Sequence, residues 1–197
     1  VEVSTEIRGK RLARFGEMIF TKGGIGGPIV LEFSRFLVDE LPGGAVGCFL
    51  DLKPALDADQ LDKRLIRELE SSPRRITRNL MKELMPAALG EALCRVFGFD
   101  LEQPASSFGR DERRRLAALL KAIPLTIVGT APIEDAIVTR GGVSLKEINP
   151  RSMESRLVPG FFFAGEVIDV DGDCGGFNLQ AAWSTGRLAG LNAAVGR

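Results

Sequence analysis

The hydrophobic pattern of the chain changes period several times, dividing it into a strand-rich start, a helical middle and a mixed end. Residues 1–7 alternate polar and apolar, Arg8-Gly9-Lys10 reads as a turn, and residues 11–15 and 17–20 continue as short strands, which predicts a meander. A glycine-rich loop at 23–27 follows, and Pro28 suits the first turn of a helix reaching Leu37. Residues 46–52 read as another strand. From residue 57 the period becomes helical: Asp57 with Gln60 makes a capping-box start, and Leu61, Leu65, Ile66 and Leu69 share one apolar face. Further helices are predicted at 73–84, at 86–97 with Gly98 closing it, and at 110–122. Strands return at 125–128, 136–139 and 143–148.

The end of the chain, FFFAGEVIDVDGDCGGFNLQAAWSTGRLAG over residues 161–190, is the richest in candidate chemistry. It reads as a short apolar strand (161–165), an acidic turn, a glycine pair, and a helix of small residues capped by Asn178 and running to about Val195. Glu166 falls at the carboxyl end of the predicted strand, where ligands of open α/β sheets collect and where an acid can accept hydrogen bonds from sugar or ribityl hydroxyls. Gly175-Gly176 let the backbone turn and approach a ligand closely. The helix start behind them gathers free N–H groups and the positive end of a macrodipole, which favours a phosphate or the carbonyl edge of a reduced flavin. Small-residue helices also pack in ordinary cores. Asp169, Asp171 and Asp173 alternate like the first ligands of a calcium loop, but Cys174 stands where its glycine belongs and Gln180 where its glutamate belongs. The better reading is an acidic turn facing solvent or sugar hydroxyls.

Composition narrows the classes. The 197 residues bound one or two domains. Lys plus Arg and Asp plus Glu number 26 each, so no global field draws nucleic acid or an anionic membrane, and neither partner is expected. No apolar run approaches the ~20 residues that span a bilayer, and the start lacks a signal-peptide core. Cys48, Cys94 and Cys174 form neither a disulfide framework nor a zinc site, which points to a reducing, cytoplasmic setting. Histidine and tyrosine are both absent, so no side chain is an unperturbed acid or base near neutral pH. Cys174 lacks a C-x-x-C partner and reads as a small loop residue.

Three motifs then occur in order. They are Gly16-Glu17-Met18-Ile19-Phe20-Thr21-Lys22-Gly23-Gly24-Ile25-Gly26-Gly27-Pro28, Val138-Thr139-Arg140-Gly141-Gly142-Val143, and the stretch LKEINPRSMESRLVPG (145–160) running into residues 161–190. Together they resemble a bacterial flavoprotein family, the NAD(P)/FAD-dependent oxidoreductases of the BaiN/YhiN, or aminoacetone-oxidase, type. The family often has Thr-His before the glycine loop and Ser within it, where this chain has Thr21-Lys22 and Gly26. Lysine there supplies a fixed charge rather than a proton shuttle.

The resemblance implies an α/β fold with an α+β insert: part of an FAD-binding Rossmann-like domain plus a β-barrel-like domain carrying a helical insert. Residues 1–56 would belong to the barrel, 57–122 to the helical insert, 123–158 to the returning barrel strands and 159–197 to the FAD domain. No G-x-G-x-x-G occurs; Gly24-Ile25-Gly26-Gly27-Pro28-Ile29 has isoleucine at the third glycine. The expectation is therefore a carboxyl-terminal part of a longer FAD-dependent oxidoreductase, moving hydride between NAD(P)H and a small organic substrate. Gly165 and Glu166 would face the FAD sugar or ribityl region, and Gly175, Gly176, Phe177, Asn178 and Leu179 the isoalloxazine. The competing class is a noncatalytic module for oligomerisation or partner binding, with purely structural glycines.

Overall fold

A computed structural model describes residues 1–195; Gly196 and Arg197, the end of the segment assigned above to an FAD domain, lie outside the described residues. The chain divides into two compact units, one of Val1–Glu17 with Ala45–Ile127, the other of Met18–Gly44 with Val128–Arg197.

The first unit holds a four-stranded antiparallel sheet, β1 (Glu2–Ile7), β2 (Lys10–Phe15), β5 (Val46–Asp51) and β6 (Ile123–Ile127), in the order β2-β1-β5-β6. The β1–β2 hairpin pairs Glu2 with Phe15 through Ile7 with Lys10, and its two turn residues, Arg8 and Gly9, both take positive φ (52° and 74°). That conformation matches the right-handed strand twist and tolerates few side chains, hence glycine at the second position. Val3, Thr5, Cys48 and Leu50 are buried, at alternate positions as a half-buried sheet requires.

Between β5 and β6 lie α2 (Ala58–Ser71), α3 (Thr77–Leu84), α4 (Ala87–Phe97) and α5 (Arg110–Lys121). The capping box at α2 forms as predicted: the Asp57 carboxylate accepts from Gln60 N–H at 2.7 Å, and the Gln60 side chain accepts from Asp57 N–H at 3.0 Å. Leu61, Leu65 and Leu69 are buried, as are Leu116, Leu119 and Leu120 of α5, which packs beside α2. Gly98 ends α4 in the left-handed region (φ 70°), and Phe99 N–H returns to the Cys94 carbonyl at 2.8 Å. Gly90 is needed for packing: a Cβ there would lie 2.8 Å from Met81 Cβ, so α3 and α4 meet where α4 has no side chain. The helix predicted from residue 73 begins only at Thr77, because 73–76 turn and Ile76 bridges to Pro104.

The second unit contains the hairpin β3 (Ile19–Thr21) and β4 (Gly24–Gly26), then α1 (Pro28–Leu37) and α6 (Phe177–Val195). Its apolar centre is Ile148, Met153, Ile168 and Ala189, with Val143, Phe162, Phe163, Ala164 and Leu188 packed around them. Here the strand expectations fail. Residues 136–139, 143–148 and 161–165 form no strands; only isolated bridges remain, Val143 to Ile168, Ile148 to Ser155 and Glu154 to Phe162. Phe162 and Phe163 pack on this centre without lying in a sheet, Phe161 stays exposed with its ring edge-on to Phe163, and Gly165 (φ 74°) turns the chain before a ladder can extend.

Candidate functional site

The residues singled out near the end of the chain gather in the second unit, and the motifs that flank them do so as well. Gly165, Glu166 and Val167 form a single 3₁₀ turn instead of a strand end. One carboxylate oxygen of Glu166, Oε1, accepts from Thr139 N–H at 2.6 Å and from the Thr139 hydroxyl at 3.1 Å. The residue is exposed, and its second oxygen has no partner among the described residues.

Two further contacts fix this turn. Val143 N–H donates to the Val167 carbonyl (2.8 Å) and Asp169 N–H to the Val143 carbonyl (3.0 Å), so the Thr139-Arg140-Gly141-Gly142-Val143 motif docks along the chain just after Glu166. Gly142 makes that approach possible: a Cβ on it would collide with the Val167 carbonyl oxygen. From the other side, Gly165 N–H donates to the Thr185 hydroxyl at 3.0 Å, and that hydroxyl donates to the Ala181 carbonyl one turn back at 2.7 Å. An added Cβ on Gly165 would come to 3.9 Å from Ala182 Cβ, which is why a helix of small residues stands there.

The acidic turn is not simply solvated. Arg35 of α1 reaches both Asp173 (2.9 Å) and Asp171 (3.6 Å), while its guanidinium lies 5.0 Å over the Phe36 ring. Arg140 donates to the Arg35 carbonyl at 2.7 Å and to Asp39 at 3.0 Å, closing the carboxyl end of α1 with a cation. Sequence reasoning did not find Arg35 or Thr139 as partners. The only signal was complementarity, one cation in an apolar helix against three alternating aspartates, and nothing local says that the two segments meet.

Asn178 also has a different job from the expected cap. It is the second residue of α6, and its side chain accepts from Gly172 N–H at 2.7 Å and donates to the Gly172 carbonyl at 3.2 Å. It therefore ties the acidic turn to the helix start, with Phe177 packed against Gly172. Gly175 and Gly176 take positive φ (128° and 88°), and the space around Gly176 is open. Gln180 N–H is bonded back to Gly176, which leaves the amides of 177–179 as the unsatisfied start of a 19-residue helix. Phe177 (63 % exposed) and Leu179 (69 %) flank it. Cys174 is free and exposed. Among the described residues no group of three or more His, Cys, Asp or Glu side chains is placed to hold a metal. The expected glycine loop at 23–27 is a hairpin: Lys22 and Gly23 form its turn, Thr21 pairs with Gly24, and Gly27 (φ 99°) makes the corner into α1.

The second unit thus offers a hydroxyl acceptor at Glu166 and, at the start of α6, free amides flanked by apolar side chains. A carboxylate with one oxygen fixed and the other free suits the hydroxyls of a ligand. Open glycines, helix amides and exposed Phe177 and Leu179 suit a flat, partly negative, apolar body. These residues fit a flavin nucleotide.

No helix among the described residues is long and apolar enough to cross a membrane. Comparison with known proteins gives the family. Residues 1–138 match the model described as the HI0933-like protein barrel and H2TH domain. Over 180 residues the chain is 34 % identical to a 3-dehydro-bile acid delta(4,6)-reductase of Clostridium scindens, covering 91 % of this chain and 44 % of that protein. It is 30 % identical over 178 residues to a ribosomal RNA dihydrouridine synthase of Haemophilus influenzae (90 % and 42 %). It is 33 % identical over 168 residues to the enzyme of the same name from Escherichia coli (85 % and 40 %). The chain thus spans less than half the length of these relatives, all of them named as enzymes. On the match of more than two thirds of its residues, the chain belongs to the HI0933-like family.

Proposed function

We propose that the chain serves an FAD-dependent oxidoreductase that moves hydride between NAD(P)H and the carbon–carbon double bond of an organic substrate. The observation that carries this reading is Glu166: a carboxylate fixed through one oxygen by Thr139, free at the other, on a turn held against the small residues Ala182 and Thr185 of α6. In this reading Gly165 and Glu166 hold the sugar or ribityl hydroxyls, and Gly175, Gly176, Phe177, Asn178 and Leu179 border the isoalloxazine. Bound there, FAD would supply the hydride chemistry. The chain's own residues orient it. Glu166 accepts hydroxyl hydrogen bonds, the amides at 177–179 face the ring edge that becomes negative on reduction, and Asn178 fixes the helix start by its two bonds to Gly172 of the acidic turn.

The relatives' names support the choice of bond. A delta(4,6)-reductase acts on carbon–carbon double bonds, and dihydrouridine is uridine with its ring double bond saturated. Without histidine or tyrosine, residues 1–197 offer no neutral-pH acid of ordinary pKa for the accompanying proton. Cytoplasmic location follows in this reading from the unpaired thiols. The test is flavin content of the full-length protein. Glu166→Ala should purify with less than half the flavin of the parent while keeping its far-UV spectrum, and NAD(P)H should bleach the parent's flavin. Undiminished flavin in Glu166→Ala would refute the placement.

A further inference from the structure

Residues 128–142 of the second unit are all exposed and form one 3₁₀ turn, Ile133–Asp135, but no strand. Val128, Ile133 and Ile137 stand in solvent, so burial of apolar side chains does not hold this strap in place. The hydrogen bonds that tie it to other segments lie near its end: Thr139, through its amide and its hydroxyl, to Glu166, and Arg140 to α1. Arg140 Nη1 spends both of its hydrogens there, one on the Arg35 carbonyl (2.7 Å) and one on Asp39 Oδ2 (3.0 Å). That carbonyl is one of the last four of α1, which a helix leaves open, and the cation stands at the negative end of the helix dipole. The anchor is itself braced, since the Arg35 side chain is held at Asp173 (2.9 Å). Beyond Arg140 come Gly141 and Gly142, both with positive φ, before the chain docks again at Val143. Two adjacent glycines are the residues that lose most freedom on ordering, so the dock at Val143 does not by itself fix Thr139 on their far side.

We infer that Arg140 is a positioning residue for Glu166: by mooring the strap to the end of α1 it fixes Thr139, and through Thr139 the direction in which the free carboxylate oxygen points. Two donors on one oxygen orient a carboxylate only when the residue supplying them is itself held, and here both donors come from Thr139, the covalent neighbour of Arg140. Without the mooring, Glu166 and Thr139 stay bonded to each other but move together, and the second oxygen no longer keeps one place. An acceptor that must be ordered at the moment of binding gives up affinity for the hydroxyls it takes. The inference deepens the flavin reading and rests on it for the ligand, whereas the mooring is a property of this unit with no ligand bound.

The experiment is a double-mutant cycle in the flavin-stripped full-length protein titrated with FAD, with hydrogen exchange at the Thr139 amide measured before FAD is added. R140M keeps the aliphatic stem and removes the charge and the donors; the Thr139 amide should then exchange about three- to tenfold faster, and FAD should bind about three- to tenfold more weakly. R140K restores a charged donor and should bring both readings back to within about twofold of the parent. Glu166→Ala should weaken FAD binding about tenfold or more, and adding R140M to it should cost less than about twofold further, because the mooring acts only through Glu166. Should R140M lose its far-UV signal, D39A, which removes one of the two acceptors, takes its place, with losses of about two- to threefold. Unchanged exchange and affinity in R140M, or in D39A where it stands in, overturn the inference and leave the flavin reading standing. So does an R140M loss that adds in full to that of Glu166→Ala, since it would come from general loosening rather than through the carboxylate. FAD affinity left intact by Glu166→Ala overturns the flavin placement and this inference together, and that arm of the cycle tells the two failures apart.

Discussion

Gly141 and Gly142 are adjacent, both have positive φ, and they should respond very differently to alanine. At Gly141 (φ 98°) no heavy atom lies within 4 Å of the new Cβ, so the cost is backbone strain alone, about 1–3 kcal/mol. At Gly142 (φ 145°) the same strain is joined by collision with the Val167 carbonyl oxygen, and by approaches of 3.0 Å to the carbonyl carbons of Val167 and Ile168. Relief requires the two segments to separate. That stretches Val143 N–H to Val167 (2.8 Å) and Asp169 N–H to Val143 (3.0 Å), worth about 0.5–1.5 kcal/mol each. Gly142→Ala should therefore cost about 2–6 kcal/mol, exceeding Gly141→Ala by about 1–3. Because a chain of two units need not unfold in one step, urea midpoints should be read together with hydrogen exchange at the Val143 and Asp169 amides. Those two amides should lose protection in Gly142→Ala and keep it in Gly141→Ala. Equal midpoints within about 0.5 kcal/mol, with both amides still protected, would show that close approach at Gly142 does not hold the Glu166 turn.

The remaining predictions separate other effects. Gly90→Ala gains about 1 kcal/mol of helix propensity but forces its Cβ to 2.8 Å from Met81 Cβ, an atom that cannot swing away; overpacking costs about 1–3 kcal/mol, so thermal melting should show a net loss. The hydrogen bond from Arg113, foremost, holds the Asp62 carboxyl below its ordinary 3.8. The folded state therefore binds fewer protons, and the stabilisation is present above about pH 4 and lost as pH falls through the depressed value. With both side chains partly exposed this is worth about 0.5–1 kcal/mol, and the urea-midpoint gap between the parent and Asp62→Asn should be largest near about pH 6 and shrink as pH falls below about 4. Gly186→Ala, with no heavy atom within 4 Å and no positive φ, should raise the stability of this chain by about 0.5–1 kcal/mol; a loss would mean that its surroundings are tighter than the structure shows.

Legibility followed the range of the signal. Helix α1 begins at Pro28 and ends at Leu37 as its pattern predicts, and α2 starts on its Asp57–Gln60 box, because these signals act within one turn of the residues they organise. Gly98 closed α4 for the same reason. The second unit resisted because short apolar runs do not say what covers them. Phe162 and Phe163 pack on Met153 and Ile168 without a partner strand, and Val143 meets Ile168 across only one bridge. In the candidate site the glycines and Glu166 were visible from residue type alone. Thr139 and Arg35 were not, since their roles depend on contacts that join segments far apart in sequence.

Helix α6 shows why its small residues needed two explanations rather than one. On the inner side, Ala181, Ala182, Thr185 and Ala189 let the Gly165–Val167 turn and the Ile148–Ile168 centre come close; there a larger side chain would push the turn that carries Glu166. On the outer side Gly186 and Gly190 touch nothing, and Leu179, Trp183 (77 % exposed), Leu191 and Val195 stand in solvent. Gln180, Ser184 and Arg187 give the helix one exposed polar stripe, and the apolar residues occupy the rest of its outer side. The outer face is the part of α6 whose small residues gain nothing here. Packing within this unit therefore accounts for the inner small residues, while Gly186 and Gly190, about 15 Å or more along the axis from the Gly175–Gly176 turn, owe their size to no contact of this unit.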